Sequence, residues 1–195
     1  MEWKDITVKQ YERLCEIYEG DRENFCDLAI EYLFGIKDAE HTLSVTEYAK
    51  HINALSFFTK EIPANPPKTE YTLNGTRYTA NLVPSALTAA QVQDLTQMGK
   101  DGSPLSDVLS VILVPEGMTY NYGYDLAKAK SDIGSLPVCD GVGLSAFFLT
   151  YLKRFIRIFQ SSLSRTLLKE IPTETMERMQ NWLDATAKAL EMATD

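Results

Sequence analysis

Glu70-Tyr-Thr-Leu73-Asn74-Gly75-Thr76-Arg-Tyr78-Thr-Ala80 is the stretch on which the reading of the fold turns, because here the organisation changes from helix to strand. Tyr71 and Leu73 alternate with polar residues, and Asn74-Gly75 is the pair preferred in a two-residue turn where both φ angles are positive. Tyr78 leads out through β-forming residues. The pattern predicts a hairpin near residues 70–82, closed by Pro84. It follows Ile62-Pro-Ala-Asn-Pro-Pro67, whose three prolines cannot continue a helix.

On either side the spacing is helical. Thr7-Val-Lys-Gln10, Ser44-Val-Thr-Glu47 and Thr88-Ala-Ala-Gln91 each place a hydroxyl three residues before Glu or Gln, the pattern of a capping box at a helix start. After the first box, Val8, Tyr11, Leu14, Cys15 and Tyr18 form an apolar stripe that ends at Gly20 and Asp21. Phe25, Leu28, Ala29, Tyr32 and Leu33 form a second stripe running to Gly35, a residue suited to the left-handed conformation past a helix end. Two antiparallel helices with buried stripes are expected, then a third carrying Val45, Tyr48, Ala49, Ile52, Leu55 and Phe58.

Beyond the hairpin, the box at Thr88 opens a helix with Val92, Leu95 and Met98 that is expected to stop before Gly99 and Asp101-Gly102. Pro104 suits the first turn of the next, whose apolar face of Leu105, Val108, Leu109, Ile112 and Leu113 runs to Pro115-Glu-Gly117. A helix is expected from Asp125 to Ile133, a loop from Pro137 to Gly143, a nearly all-round apolar central helix from Leu144 to Gln160, and a last helix from about Pro172. The fold class expected is mainly α, of the α+β kind. It is a compact helical domain of about seven helices over residues 1–195, with a β-hairpin inserted at about 69–83.

The chain has 195 residues, of which 45% are hydrophobic and 24% charged, so it has the composition of a globular domain with a real core. Nineteen Lys and Arg against 27 Asp and Glu give a net charge of -8, which repels phosphate backbones and disfavours nucleic acid as the main partner. The opening residues lack the apolar stretch of a secretion signal, and Leu144 to Phe159 is broken by Lys153, Arg154 and Arg157. The expectation is therefore a protein of the cytoplasm, with no membrane partner.

Chemistry-bearing motifs are sparse. His41 and His51 stand ten residues apart with no metal-ligand spacing, so no metal or cofactor is expected. Cys15, Cys26 and Cys139 include no Cys-x-x-Cys pair and read as reduced core residues. The neighbouring Asp140 should raise the Cys139 thiol pKa and keep it inert. Gly141-Val-Gly143-Leu-Ser145 has neither the order of a nucleophile elbow nor the glycines of a phosphate loop, and reads as a flexible loop. Asn74-Gly-Thr76 matches a glycosylation sequon but reads as a turn. No catalytic residue is assigned.

Two surfaces stand out instead. Tyr120, Tyr122 and Tyr124 alternate along one loop, so in an extended segment they would project to one side, either onto the hairpin or toward a partner. Lys153, Arg154, Arg157, Arg165 and Lys169 form a basic edge, read as a charged helix face or a subunit contact carried by Arg154 and Arg157. The same helix, 153–169, is what a nucleic-acid accessory protein would use. An enzyme with a carboxylate or tyrosine site assembled from distant residues is a further alternative.

Trp3-Lys-Asp-Ile-Thr-Val-Lys-Gln-Tyr11, Leu73 to Tyr78, Leu87-Thr-Ala-Ala-Gln91, Val108 to Pro115 and Phe147-Phe148 together give a layout that resembles small structural and assembly proteins of tailed bacteriophages and prophages. The resemblance implies a non-enzymatic role through protein contacts, as a virion component or tail assembly chaperone. Its partners would be other phage structural proteins or further copies of itself.

Overall fold

The computed structural model describes residues 1–150, apart from residues 84, 85, 102, 122 and 149 and the side chains of residues 99–101. It is mainly helical, with one small antiparallel sheet. A 3-10 turn at Trp3–Asp5 precedes α1 (Val8–Gly20), α2 (Phe25–Phe34), α3 (Ala39–Thr42) and α4 (Val45–Ala54), which tightens into a second 3-10 turn at Leu55–Thr59. The hairpin strands β1 (Glu70–Leu73) and β2 (Thr76–Ala80) follow, then α5 (Ala89–Asp101), α6 (Leu105–Ile112), β3 (Leu113–Pro115) and α7 (Leu126–Ile133). A helix α8 then covers residues 138–148. The expected last helix and basic edge lie outside the described residues.

Local chemistry accounts for most of these boundaries. The capping boxes at Thr7/Gln10 and Ser44/Glu47 are both closed in the two directions. Thr88 and Gln91 exchange the same pair of bonds, 3.0 and 3.2 Å long. The Gln91 side-chain amide also donates to the Val111 carbonyl at 2.8 Å, tying the start of α5 to α6. Gly35 closes α2 in the left-handed region, φ 71°. At the hairpin turn Asn74 and Gly75 take φ 48° and 81°, as the Asn-Gly pair was expected to do.

Five sequence expectations need correction. The apolar run from Leu105 does not stay helical to Pro115: α6 ends at Ile112, and Leu113–Pro115 extend as β3. Ala80 pairs with Leu113 and Thr79 with Val114, so the hairpin becomes a three-stranded sheet of order β1-β2-β3. Pro137 to Gly143 is not a loop, because the central helix begins at residue 138. Gly99 does not stop α5, which runs on to Asp101 at the second expected stop, and Pro104 caps α6 instead of entering its first turn. Val45, expected on a buried stripe, is 87% exposed, and α4 packs through half-buried Tyr48 and Ile52.

Two apolar cores meet at α8. One, beneath the sheet, gathers Tyr71, Leu73, Tyr78, Leu109, Ile112 and Ile133 around Leu144 and Phe148. The other gathers Trp3, Ile6, Leu14, Ile30 and Phe57 around Val138 and Cys139. The first two amides of α1, orphaned within their own helix, donate to the α7–α8 connection: Val8 to Leu136 O at 2.8 Å and Lys9 to Gly134 O at 3.0 Å. Val138 returns a bond to Ile6 O at 2.9 Å. The α6 amide of Ser106 donates to the Glu12 carboxylate at 2.6 Å, so α1 also caps a second helix.

The glycines of α8 follow from close approach. A Cβ at Gly143 would stand 1.8 Å from the Asn65 carbonyl oxygen, since the 62–67 segment crosses the helix there, and Asn65 N donates to Cys139 O at 3.0 Å. Gly143→Ala should therefore destabilise the fold by about 1–3 kcal/mol or more through overpacking. Gly20→Ala, at a site with nothing within 4 Å, should be neutral or stabilise by up to ~1 kcal/mol. Urea midpoints at unchanged m-value check both.

Candidate functional site

Two aspartates are buried in the described residues, Asp132 at 5% exposure and Asp140 at 7%. A buried carboxylate is costly unless its oxygens are fully hydrogen-bonded, so each must be explained by what surrounds it. Asp132, in the last turn of α7, accepts from the Tyr78 hydroxyl at 2.8 Å, from Asn74 Nδ2 at 3.1 Å and from Lys128 Nζ at 2.6 Å. Lys128 also donates to Thr76 Oγ1 at 3.0 Å. One carboxylate thus holds the turn, the second strand and its own helix together.

Electrostatics fit a structural latch. Burial raises the Asp132 pKa, but donors from Lys128, Tyr78 and Asn74 outweigh it and leave the group below its ordinary value of 3.8. Burial, and then the hydrogen bond to Asp132, push the Tyr78 hydroxyl well above the usual tyrosine range, so it holds its proton. This is a carboxylate–tyrosine constellation assembled from distant residues. Its donors and acceptors are spent on one another.

Asp140 performs the matching task in the first turn of α8. Asn65 Nδ2 donates to its Oδ1 at 2.6 Å, and Lys68 Nζ reaches Oδ2 at 3.2 Å. The Lys68 amide donates to the Tyr71 hydroxyl at 3.0 Å, which carries the proline-rich segment into β1. Cys139, beside it, is buried; burial first and the Asp140 charge second raise its thiol pKa, the direction expected from the sequence but with burial as the main cause. Cys15 and Cys26 are free thiols, half-buried.

Of the sequence-derived surface residues, Tyr120 turns inward: it is 9% exposed and donates to Asp94 Oδ2 on α5 at 2.7 Å. Tyr124 is half-buried against the sheet core. Tyr122, Arg154 and Arg157 lie outside the described residues, as does the rest of the 153–169 edge. His41 is exposed on α3, and His51 packs edge-on against Phe34 with centroids 4.7 Å apart. Among the described residues no group of His, Cys, Asp or Glu could hold a metal ion, and no helix is long and apolar enough to cross a membrane.

The surface that sequence reasoning missed lies between α1 and α2. Arg13, Glu16, Ile17 and Gly20, at spacings of three and four on α1, face Leu28, Glu31 and Tyr32 on α2 across an open groove of about 550 Å³. Leu28 and Tyr32, expected in a buried stripe, are 36% and 37% exposed there. Tyr18 nearby is 40% exposed, with Phe25 edge-on at 5.4 Å and the Arg22 guanidinium 5.0 Å over its ring. Arg13 pairs with Glu16 at 2.8 Å, and Asp21 and Glu31 add further negative charge to the lining.

Because the Asp132 pKa is lowered by folding, its contribution is complete above about 3.8 and is lost as pH falls through the lower folded value. Asp132→Asn should cost about 1–3 kcal/mol at neutral pH and should lose less stability than wild type on acidification below that range, read by denaturant titrations at each pH. Tyr120→Phe should cost about 1 kcal/mol by stranding Asp94, seen as a shifted unfolding midpoint. Comparison with protein-family models, with curated proteins and with solved structures finds no match to this chain.

Proposed function

We propose that this chain is a non-enzymatic protein-contact component, of the kind that tailed phages use in structure or assembly, as a virion component or tail assembly chaperone. The observation that carries the reading is the α1–α2 groove, where Leu28 and Tyr32 stay more than a third exposed although both helices belong to a packed core. Rigid aromatic and aliphatic side chains at a concave surface supply binding area at low entropic cost.

The occupant is a basic amphipathic helix of a partner protein. Three carboxylates, Glu16, Asp21 and Glu31, line the groove against the single guanidinium of Arg13, within a chain of net charge -8. Cationic side chains flanking an apolar stripe satisfy both features, and opposite charge speeds encounter. A second copy of the chain would bring like charge to the same surface. The Asp132–Tyr78 pair lends the carboxylate–tyrosine alternative no support, because Asp132 is engaged by three donors of the fold itself.

Purified protein mixed with the products of neighbouring genes should form a complex of larger size with one that carries such a helix. Leu28→Ala together with Tyr32→Ala should weaken that complex about tenfold or more, about 1.4 kcal/mol, with an unchanged unfolding midpoint. Glu31→Lys should weaken it and flatten its salt dependence. A chain that binds none of these products, or a complex indifferent to the groove variants, counts against the reading. Concentration-dependent self-association blocked by the same variants would replace the basic helix with a second copy.

A further inference from the structure

The turn that closes the hairpin is also a chemically labile pair. Asn74 and Gly75 are exposed, at φ 48° and 81°, and glycine offers the least steric resistance to attack by its backbone nitrogen on the preceding side chain. We propose that Asn74 is a site of spontaneous deamidation, and that the modification unlatches the hairpin from α7. The backbone nitrogen of Gly75, losing its proton, bonds to Cγ of Asn74. The Cγ–Nδ2 bond breaks, and Nδ2 leaves as ammonia with the proton. Water then opens the resulting succinimide at either carbonyl, giving aspartate or isoaspartate, with water the sole co-reactant and no change of oxidation state.

The consequence comes from what Nδ2 touches. It is a donor to the buried Asp132 carboxylate at 3.1 Å. Either product replaces that donor with a carboxylate facing a buried carboxylate, and Lys128, bonded to Asp132 at 2.6 Å, must then serve two negative charges. The isoaspartate product also inserts a backbone carbon into a two-residue turn whose register is fixed by the Leu73–Thr76 pair. Tyr78 and Thr76, the other groups held through this latch, lose their fixed partner with it.

The chain carries its own controls, because Asn24, Asn53, Asn65, Asn81, Asn121 and Asn181 are followed by Phe, Ala, Pro, Leu, Tyr and Trp. Full-length protein aged at mildly alkaline pH and mapped by peptide mass spectrometry should gain about one dalton at Asn74 several-fold faster than at any of these, with an isoaspartyl fraction. Equal rates at Asn74 and at Asn53 or Asn121 overturn the site. Asn74→Asp should then exchange its hairpin amides several-fold faster than Asn74→Ser, which removes the donor without adding charge; equal exchange overturns the unlatching. Aged wild type, separated by its extra negative charge, gives the same comparison should Asn74→Asp fail to fold.

Discussion

A carboxylate without water must be answered by donors, and in this protein Asp132 is answered by three different parts of the chain. The requirement is strict because each unmet oxygen would cost as much as several ordinary contacts provide. It fixes where the hairpin sits: the turn through Asn74, the strand through Tyr78, and the helix through Lys128 converge on one point. With β2 so placed, β3 can pair with it only where α6 ends, and the core under the sheet closes on Leu109, Ile133 and Phe148.

Asp140 applies the same logic one helix later, and α8 lies where the two constraints come together. Its first residues, Val138 and Cys139, belong to the N-terminal core and its later ones, Leu144 and Phe148, to the core beneath the sheet. The helix is close-packed on several sides, which explains Gly141 beneath Val8 and Leu109, and Gly143 beneath Asn65. Asp132 and Asp140 are thus spent on architecture, while Leu28 and Tyr32 stay open in the α1–α2 groove. That division supports the proposed recognition through the groove.

What could be read from the residues was the chemistry that acts locally. Capping boxes, the Gly35 terminus and the Asn74-Gly75 turn depend on groups three or four positions apart, and the sequence displays them directly. Leu113-Val-Pro115 was misread because it continues the spacing of α6, and only pairing with β2, more than thirty residues earlier, makes it a strand. The start of α8 was hidden by Gly141 and Gly143, which resemble a loop until Asn65 and Val8 are seen pressing on them. Nothing in the spacing of residues 125–133 singles out Asp132, whose donors Asn74 and Tyr78 lie more than fifty residues earlier. Leu28 and Tyr32 looked like core, because periodicity marks which residues share a face and says nothing of what covers it. Of the two readings open for the tyrosine loop, Tyr120 takes the buried one, in the core with the hairpin residues, but its hydrogen-bond partner on α5 could not be read from the alternation.

The latch itself is open to direct measurement by a double-mutant cycle between Tyr78→Phe and Asp132→Asn, with unfolding free energies taken at neutral pH for wild type, each single variant and the pair. A coupling of about 1–3 kcal/mol is expected, since the hydroxyl and the carboxylate complete one buried bond. Additive losses, with coupling near zero, would mean that the Tyr78–Asp132 bond does not hold the hairpin and would contradict the account of Asp132 as organiser of the fold.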